Sequence, residues 1–509
     1  MELELKKDCF DAFDLGGEQV LSQEISTETI VPDYCPDIAR IIAAEGTVFL
    51  HDRLVRDGHM EVSGTVRVSV LYTPDGESGI RALSLAMPFS ADAEDREGCI
   101  LLSAEAELES LESRMLNPRK IFTHCRIILR LTGYRKTPLC CAADIGAEGE
   151  LGLQRLQEQR HVVLLSRIAE KDFTFSGELQ IPSGKEGAAD ILSSHTTALV
   201  TECRLVGSKV IVKGVLQASA LYRGLSGQCG YVEGELPFSQ ILEAEGAEEN
   251  GDVAVLLQIS GADIQPGGDG DDRQIQMSVY LHALALLRRE QVLTLLSDLY
   301  STTYELTYEA EPVQLVEHRD TFVRRQAVRE VLETGVTAEE LLSVSAVCGS
   351  VSVLREGDSS VLRSGVLVRV LYLDEGGSPL MAERRLEVSC QADIPEGCTV
   401  SARAICSDGV QGSLGERGIE VRFAVEFHAE TIQRRKRVCL VSAKMDVEKP
   451  KDLSAAPSLV LRSLGREETL WMLAKQYSTT IADILAANGL KDEADAPKEK
   501  LLLIPKKRA

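Results

Sequence analysis

The residue groupings that look most like reactive sites lack the partners that their chemistry requires. The Ser-Gly-Lys-Glu run at 183–186 has neither the upstream glycine nor the Ser/Thr of a phosphate-binding loop. His-Arg-Asp at 318–320 has no asparagine at kinase spacing and no glycine-rich loop. The acidic run at 267–272 lacks the alternating ligands of a calcium loop, which favours a hairpin tip. We therefore expect no catalytic residue, no metal and no cofactor, although a hydrolase or protease domain among the β-rich segments stays an alternative.

The overall charge of the chain argues against a nucleic-acid partner. Its 509 residues carry 55 Lys and Arg against 79 Asp and Glu, which gives a net charge of −24. A chain with this charge repels phosphate backbones and anionic membranes. Aromatic residues make up only 5% of the chain and include one tryptophan, so few platforms exist on which bases could stack. We expect no nucleic-acid binding.

The apolar segments and the cysteines predict a cytoplasmic protein. The opening residues carry acids in place of an apolar signal core, and no apolar run approaches the roughly 18–20 residues of a membrane span, so we expect no membrane insertion. The 13 cysteines are scattered from Cys9 to Cys439 and include no Cys-x-x-Cys. This usage favours free thiols in a reducing cytosol over a disulfide framework.

The elements that would position any site recur three times along the chain. A Leu-Tyr pair returns at intervals of 150 residues, at 71–72, 221–222 and 371–372. Each pair follows a segment in which apolar and polar residues alternate, and a second alternating segment comes after a polar turn. Alternation with a period of two is typical of a half-buried strand. The pattern predicts three β-rich units, each a two-layer sandwich.

The predicted domain organisation follows these repeats. We expect a mainly β chain in which three tandem β-sandwich-like units occupy residues 1–155, 156–305 and 306–448. Residues 288–301 have helical apolar spacing, which predicts a connector helix at the end of the second unit. Residues 449–457 are rich in Pro, Ser and charge and show no periodicity, which is typical of a flexible linker.

The last fifty residues change to a helical period. Residues 470–477 place apolar side chains on one helical face. Thr480 opens a second helix with a capping-box pattern, and Gly489 suits the end of that helix. Apolar strands at 459–461 and 500–504 flank the two helices. The pattern predicts a small βααβ module.

This βααβ module, at 458–505, is similar to LysM domains. It keeps in order the segments Thr-Leu-Trp-x-Leu-Ala, Ile-x-x-Ile-Leu, Asn-Gly-Leu and Leu-Leu-Ile-Pro. The preceding units, with Pro-x-x-x-Pro-Asp-Ile at 32–38, resemble the SPOCS domains of endospore formers. Together they resemble the SipL-type spore-coat morphogenetic proteins of clostridial endospore formers.

The resemblance implies a function in spore assembly. It implies a non-enzymatic spore-envelope protein of the mother-cell cytoplasm, acting at the forespore surface. Its LysM module would bind a coat morphogenetic protein resembling stage IV sporulation protein A. The alternative is a protein of the cell wall or spore cortex whose LysM module binds peptidoglycan or N-acetylglucosamine.

LysM domains commonly hold N-acetylglucosamine polymers between the loop before the first helix and the loop after the second. The resemblance maps this groove onto Gly465, Arg466, Glu467, Glu468, Thr469, Leu470, Trp471, Asn488, Gly489, Leu490 and Lys491. Many sugar-binding members carry Gly where this chain has Glu467, and a Gly is also usual where it has Lys498-Glu499. A bulky charge keeps a sugar from the backbone. The departures favour a protein ligand over peptidoglycan.

The charge of the C-terminal residues and the single tryptophan each allow two interpretations. Residues 458–509 carry nine basic and seven acidic residues, about +2, whereas residues 1–457 carry −26. This asymmetry would steer an acidic partner to the module, or it reflects a solvated basic terminus. Trp471 contacts a ligand in the groove or packs inside the module, and packing is favoured in so small a domain.

Overall fold

Alternation of apolar and polar residues produces the strands that make up most of this chain. The computed structural model describes residues 1–509 except 147–150, 248–250, 268–272, 357–358, 408, 417, 453–456, 458, 496–500 and 506–509. In the core strand of the first repeat, Val66, Val68 and Val70 are fully buried, whereas Arg67 is exposed. The predicted mainly β fold class is confirmed.

The first repeat folds as a two-layer sandwich, which we call unit 1. Its strands are β1 (Leu5–Phe10), β2 (Phe13–Ile30), β3 (Ile38–Arg56), β4 (His59–Pro74), β5 (Arg81–Glu94), β6 (Leu101–Asn117), β7 (Lys120–Lys136) and β8 (Leu139–Ile145). Strands β3, β4 and β5 form one antiparallel sheet. Strands β2, β7 and β6, in that order, face it across a core that includes Val68 and Ile127. Strands β1 and β8 form a separate pair.

Units 2 and 3 repeat this arrangement. Unit 2 contains β9 (Leu153–Gln180), β10 (Ala188–Val206), β11 (Lys209–Gly224), β12 (Cys229–Glu243), β13 (Asp252–Pro266) and β14 (Gln274–Ser301). Unit 3 contains β15 (Tyr304–Leu332), β16 (Ala338–Glu356), β17 (Ser359–Asp374), β18 (Pro379–Ala392), β19 (Cys398–Cys406), β20 (Gln411–Gly415) and β21 (Gly418–Pro450). The sheets β10-β11-β12 and β16-β17-β18 face the sheets that contain β14 and β21.

The three units close into a ring. Arg67 of unit 1 donates a hydrogen bond to a backbone carbonyl of β13 in unit 2. Gln217, at the equivalent position of unit 2, donates to a carbonyl just after β19 in unit 3 at 3.0 Å. The amide of Ser350 in unit 3 donates to Glu107 of unit 1 at 3.1 Å. Units that are tandem in sequence are therefore arranged cyclically in space.

The leucine of each Leu-Tyr pair lies where the three units meet. Leu71, Leu221 and Leu371 are at most 2% exposed and belong to one apolar cluster, which we call the ring cluster. It also contains the residue that bulges from the neighbouring strand in each unit, namely Ile42, Leu192 and Leu342. Equivalent residues of three repeats thus bury one another.

The tyrosine of each pair lies in the core of its own unit. The three hydroxyls donate to backbone carbonyls 36 to 38 residues earlier, at distances of 3.0 to 3.4 Å, in the segment that leads into each first hairpin. Burial raises the pKa of Tyr72 to about 12, so this hydroxyl stays protonated and can donate. The Leu-Tyr pair therefore joins the units to one another and fixes the start of each unit.

The predicted connector helix at 288–301 is wrong, because this segment is the second half of strand β14. It pairs with β9 along its whole length. A β-bulge between Leu296 and Asp298 shifts the period of two by one residue. Buried residues on either side of the bulge, such as Leu293, Leu296 and Leu299, are therefore spaced as they would be on a helix.

The predicted linker at 449–457 begins inside a strand. Strand β21 continues to Pro450, and the amide of Lys451 donates to the Thr303 carbonyl at 2.8 Å. Residues 453–456 of this segment lie outside the described residues.

The expectation of free thiols throughout the chain is wrong for one pair. Cys9 and Cys140 lie directly opposite each other in the β1–β8 pair and form a disulfide. The other eleven cysteines, all within the described residues, are free thiols.

A cavity of about 2520 Å³ lies between the three units and is lined by residues of all of them. Arg288 of unit 2 lines it and pairs with Glu430 of unit 3 at 3.1 Å. Arg319 of unit 3 contacts both Glu430 and Asp252 of unit 2. This network of alternating charges adds a second connection between units 2 and 3.

The C-terminal module has the predicted βααβ order. It contains β22 (Leu459–Ser463), α1 (Leu470–Gln476), α2 (Ile481–Asn488), a 3₁₀ turn (Glu493–Asp495) and β23 (Leu501–Pro505). Strands β22 and β23 pair with each other. No helix among the described residues is long and apolar enough to cross a membrane.

The ring cluster predicts a strong effect for a single truncation. Leu221→Ala leaves a cavity where three units meet, so we expect the free energy of unfolding to fall by about 2–5 kcal/mol. Leu225→Ala, at a leucine that is 73% exposed, is the matched control, with an expected change within about 0.5 kcal/mol. Urea unfolding followed by circular dichroism measures both. Equal losses in the two variants would contradict the position of Leu221 in the ring cluster.

Candidate functional site

Local capping interactions define the two helices of the module. The hydroxyl of Thr469 accepts a hydrogen bond from the Met472 amide, and the hydroxyl of Thr480 accepts one from the Asp483 amide at 3.0 Å. Each threonine thereby satisfies an amide at its helix start that has no partner within the helix. Gly489 ends α2 with a φ of +64°, a conformation that glycine adopts without strain.

Asn488 joins the second helix to the closing strand. Its amide nitrogen donates to the Leu503 carbonyl at 2.7 Å, and its amide oxygen accepts from the Leu503 backbone nitrogen at 2.8 Å. Both ends of the side chain therefore support the fold of the module.

Asp298 of β14 is the acceptor that holds the module against the ring. Its carboxylate accepts hydrogen bonds from Trp471 Nε1 at 2.7 Å and from Lys475 Nζ at 2.5 Å, both on α1. Tyr308 of β15 donates to the same carboxylate at 2.7 Å. The side chains of Asp298 and Lys475 are 20% and 35% exposed, so solvent screens their attraction only in part.

Tyr300 extends this contact with an apolar surface. Its ring packs edge-on against the Trp471 ring, with 4.9 Å between centroids, and its hydroxyl donates to the Thr479 carbonyl at 2.8 Å. Lys451 donates to the Ser478 hydroxyl at 3.1 Å. Tyr300 belongs to the same apolar cluster as the core of the module. The module therefore shares a core with unit 2, which corrects the expectation of a separate, flexibly linked domain.

The electrostatics of this contact favour the ion pair. Burial by itself raises the pKa of the Asp298 carboxyl, but hydrogen bonds from the three donors outweigh it and hold this pKa below its usual range. Burial likewise lowers the pKa of Lys475, but the bond to Asp298 outweighs it and raises this pKa. Both groups are therefore charged at neutral pH.

Two apolar residues of the predicted groove are buried and do not line it. Leu470 and Trp471 are 3% and 7% exposed and face the core shared with Tyr300, so they are not available to a ligand. Trp471 packs in a core, as one alternative expected, but that core is shared with Tyr300 of unit 2 and does not belong to the module alone. Glu468 is also engaged, because its carboxylate accepts from the Gly465 amide at 3.0 Å and pairs with Arg462 at 2.6 Å.

The remaining groove residues lie at two chain turns on the surface of the module. The turn before α1 exposes Arg466, Glu467 and Thr469, and the turn after α2 exposes Gly489 and Lys491. Gly465 is half-buried in the first turn, and Leu490 is half-buried against the module core in the second. Lys498 and Glu499, whose types argued against sugar binding, lie outside the described residues.

Sequence reasoning missed the residues that dock the module. Asp298 and Tyr300 fall in the segment read as a helix, and Lys475 and Trp471 follow them by more than 170 residues. The sequence held one signal, because Asp298 lies between Leu296 and Leu299. Burying a carboxylate without a partner costs free energy, so an acid in this position indicates a partner elsewhere in the chain.

The described residues offer little material for metal chemistry. Within the described ranges, no group of three or more His, Cys, Asp or Glu residues could hold a metal ion.

The family models that match this ring of β-sandwich units and its small βααβ module are those of binding or structural domains. The LysM domain model matches residues 465–497, and the model described as "SipL, SPOCS domain" matches residues 187–265. The second match covers strands β10 to β13 of unit 2. No curated protein matches the chain. The chain therefore has the SPOCS-plus-LysM architecture of SipL-type proteins and is a sporulation-related, LysM-containing protein.

Loss of the Asp298 charge should loosen the module. Asp298→Asn replaces charge-assisted hydrogen bonds with weaker ones and leaves Lys475 without its counter-ion, at a cost of about 1.5–3 kcal/mol. Trp471 is the single tryptophan, so its fluorescence reports the contact directly. We expect emission at longer wavelengths and stronger quenching by iodide. Asp75→Asn, at an exposed turn, is the control, and identical spectra for both variants would contradict the docking role of Asp298.

The lowered pKa of Asp298 predicts that the module loses its contact with the ring in acid. Because this pKa is lowered on folding, the contact gains stability above the ordinary carboxyl pKa of about 3.9 and loses it as the pH falls through the lower folded value. Trp471 emission should therefore stay constant down to about pH 4 and shift below it. Asp298→Asn should lack this transition. A wild-type transition well above pH 4, or the same transition in both proteins, would contradict the assignment.

Proposed function

We propose that this protein is a non-enzymatic scaffold of spore-envelope assembly. It acts in the mother-cell cytoplasm at the forespore surface, where its LysM module binds a coat morphogenetic protein resembling stage IV sporulation protein A. The observation that carries the proposal is the combination of a SPOCS match in unit 2 with a LysM match at the C-terminus. Both are families of binding or structural domains.

The geometry of the ring supports a scaffolding role. Units 1 and 3 have the same strand order as the matched unit 2, so we extend the SPOCS assignment to them as part of the proposal. A ring of three sandwiches presents a large surface and fixes the position of the module through Asp298 and Tyr300. A partner that binds the module would therefore be held in a defined orientation to the ring.

We place the partner surface at the two exposed turns of the module. Arg466 and Lys491 lie in these turns, on a module that is slightly basic beside a strongly acidic chain. An acidic surface on the partner would be attracted to the module and repelled by the ring. Leu490, which is half-buried, supplies an apolar contact next to Lys491.

The second candidate function is peptidoglycan binding, which the LysM match favours in general. The loss of Trp471 and Leu470 to the shared core removes two apolar residues from the groove that a sugar would use. Glu467 places an exposed charge where sugar-binding members carry Gly. These residues support a protein ligand over a glycan.

Charge reversal at the second turn tests the proposed partner surface. Lys491→Glu should slow association of the full chain with the coat morphogenetic protein about tenfold at low salt, and much less at high salt, because salt screens exposed charges. Surface plasmon resonance measures both rates. Lys436→Glu, an exposed lysine on the ring, is the matched control and should leave the kinetics unchanged.

Two outcomes would contradict this proposal in different ways. Equal association rates for both lysine variants would remove the partner surface from the second turn. Micromolar affinity for chitooligosaccharides in titration calorimetry, with no binding to the coat protein, would support the peptidoglycan-binding function instead.

A further inference from the structure

Two thiols of unit 3 lie in contact between its two sheets. Cys348 is in β16 and Cys406 ends β19, and their Sγ atoms are 3.4 Å apart. The two cysteines are 58 residues apart in sequence. Strand β16 pairs with β17, whereas β19 pairs with β21, so no ladder of backbone hydrogen bonds joins them. The two sheet edges meet through side chains.

The other two units fill the same place with aliphatic side chains. The strand registers make Val48 and Leu108 of unit 1 equivalent to Cys348 and Cys406. In unit 2 the equivalent residues are Ala198 and Ile259. All three pairs lie at the margin of the core of their own unit. Packing therefore requires only apolar groups here, and the two thiols add a reactivity that units 1 and 2 lack at the equivalent positions.

The Cys348–Cys406 pair is more accessible to small reagents than a second thiol pair, Cys141 and Cys439. Cys348 and Cys406 are both half-buried, and Cys348 lines the cavity between the units. Cys141 and Cys439 also interact through their thiols, but they are 1% and 6% exposed inside an apolar cluster. The first pair is therefore more accessible to a dissolved oxidant than the second.

The contact between the two thiols also makes the sulfur of Cys406 easier to deprotonate. The hydrogen bond from Cys348 lowers the pKa of Cys406, whereas the same bond and burial raise the pKa of Cys348. Cys348 therefore holds its proton more tightly, and Cys406 is the thiol of the pair that loses its proton more readily. The thiolate is the nucleophile in thiol–disulfide exchange.

We propose that Cys348 and Cys406 form a site of reversible oxidation, at which a low-molecular-weight disulfide converts the two thiols into a disulfide that links the sheets of unit 3. The Cys406 thiolate attacks one sulfur of the oxidant, forming a mixed disulfide and releasing the first thiolate. Cys348, on losing its proton, then attacks Cys406 Sγ, forming the protein disulfide and releasing the second thiolate. The two protein thiols lose two electrons and two protons, and the oxidant becomes two thiols.

Oxidised glutathione is the probe that tests this site. The full-length protein, purified under reducing conditions, is incubated with rising ratios of oxidised to reduced glutathione, alkylated and mapped by mass spectrometry. We expect a linked peptide that contains Cys348 and Cys406 at a ratio at which Cys390, half-buried in the same unit, is still alkylated. Because the bond closes a long loop, the oxidised protein should melt at a higher temperature than the reduced protein.

The repeats supply conservative control variants. Cys348→Val and Cys406→Leu introduce the residues of unit 1, so both should fold, give no linked peptide and lose part of the redox-dependent shift in melting temperature. The part that remains belongs to Cys9–Cys140. Two separate glutathione adducts, linkage of either cysteine to another cysteine, or full alkylation at ratios that modify Cys390 would each overturn the proposal.

Discussion

Burial of the ring cluster is the interaction on which the rest of this structure depends. Leu71, Leu221 and Leu371 belong to three different units, and each is shielded from water by the other two units. A unit alone would expose its leucine, its bulge residue and the polar groups that now bond to the next unit. Hydrophobic burial at the centre thereby holds the network of Arg288, Glu430 and Arg319 in place around the cavity. Stability is shared among the three repeats.

The module depends on this ring for its position. Strand β14 continues beyond its sandwich, and the extension carries Asp298 and Tyr300 to the surface that receives α1. The aromatic side chain of Tyr300 contributes apolar burial. Asp298 sets the orientation of the module, since its carboxylate accepts hydrogen bonds only within certain angles. Partly buried ion pairs add little net stability, because desolvation opposes their attraction. Their effect here is to select one orientation of the module.

The repeats keep the residues that build the ring and differ where other chemistry enters. The Leu-Tyr pair and its bulged neighbour occur in every unit. The thiols of Cys348 and Cys406 replace aliphatic residues in unit 3 alone among the three units described. The docking residue Asp298 belongs to the extended strand of unit 2. Positions that depart from the repeat therefore carry the distinctive properties of this chain.

The strands and the module could be predicted from sequence, because both follow from local periodicity. Alternation around Val68 and the caps at Thr480 and Gly489 depend only on near neighbours. Residues 288–301 could not, because a bulge makes a strand imitate a helical period and only pairing with β9 reveals it. The docking of Trp471 on Asp298 joins residues 173 apart, and no local pattern reports such a contact. Closure of the ring could not be predicted from the sequence either, because repeats at a fixed spacing are compatible with a linear array or with a ring. Complementary side chains between distant units select the ring.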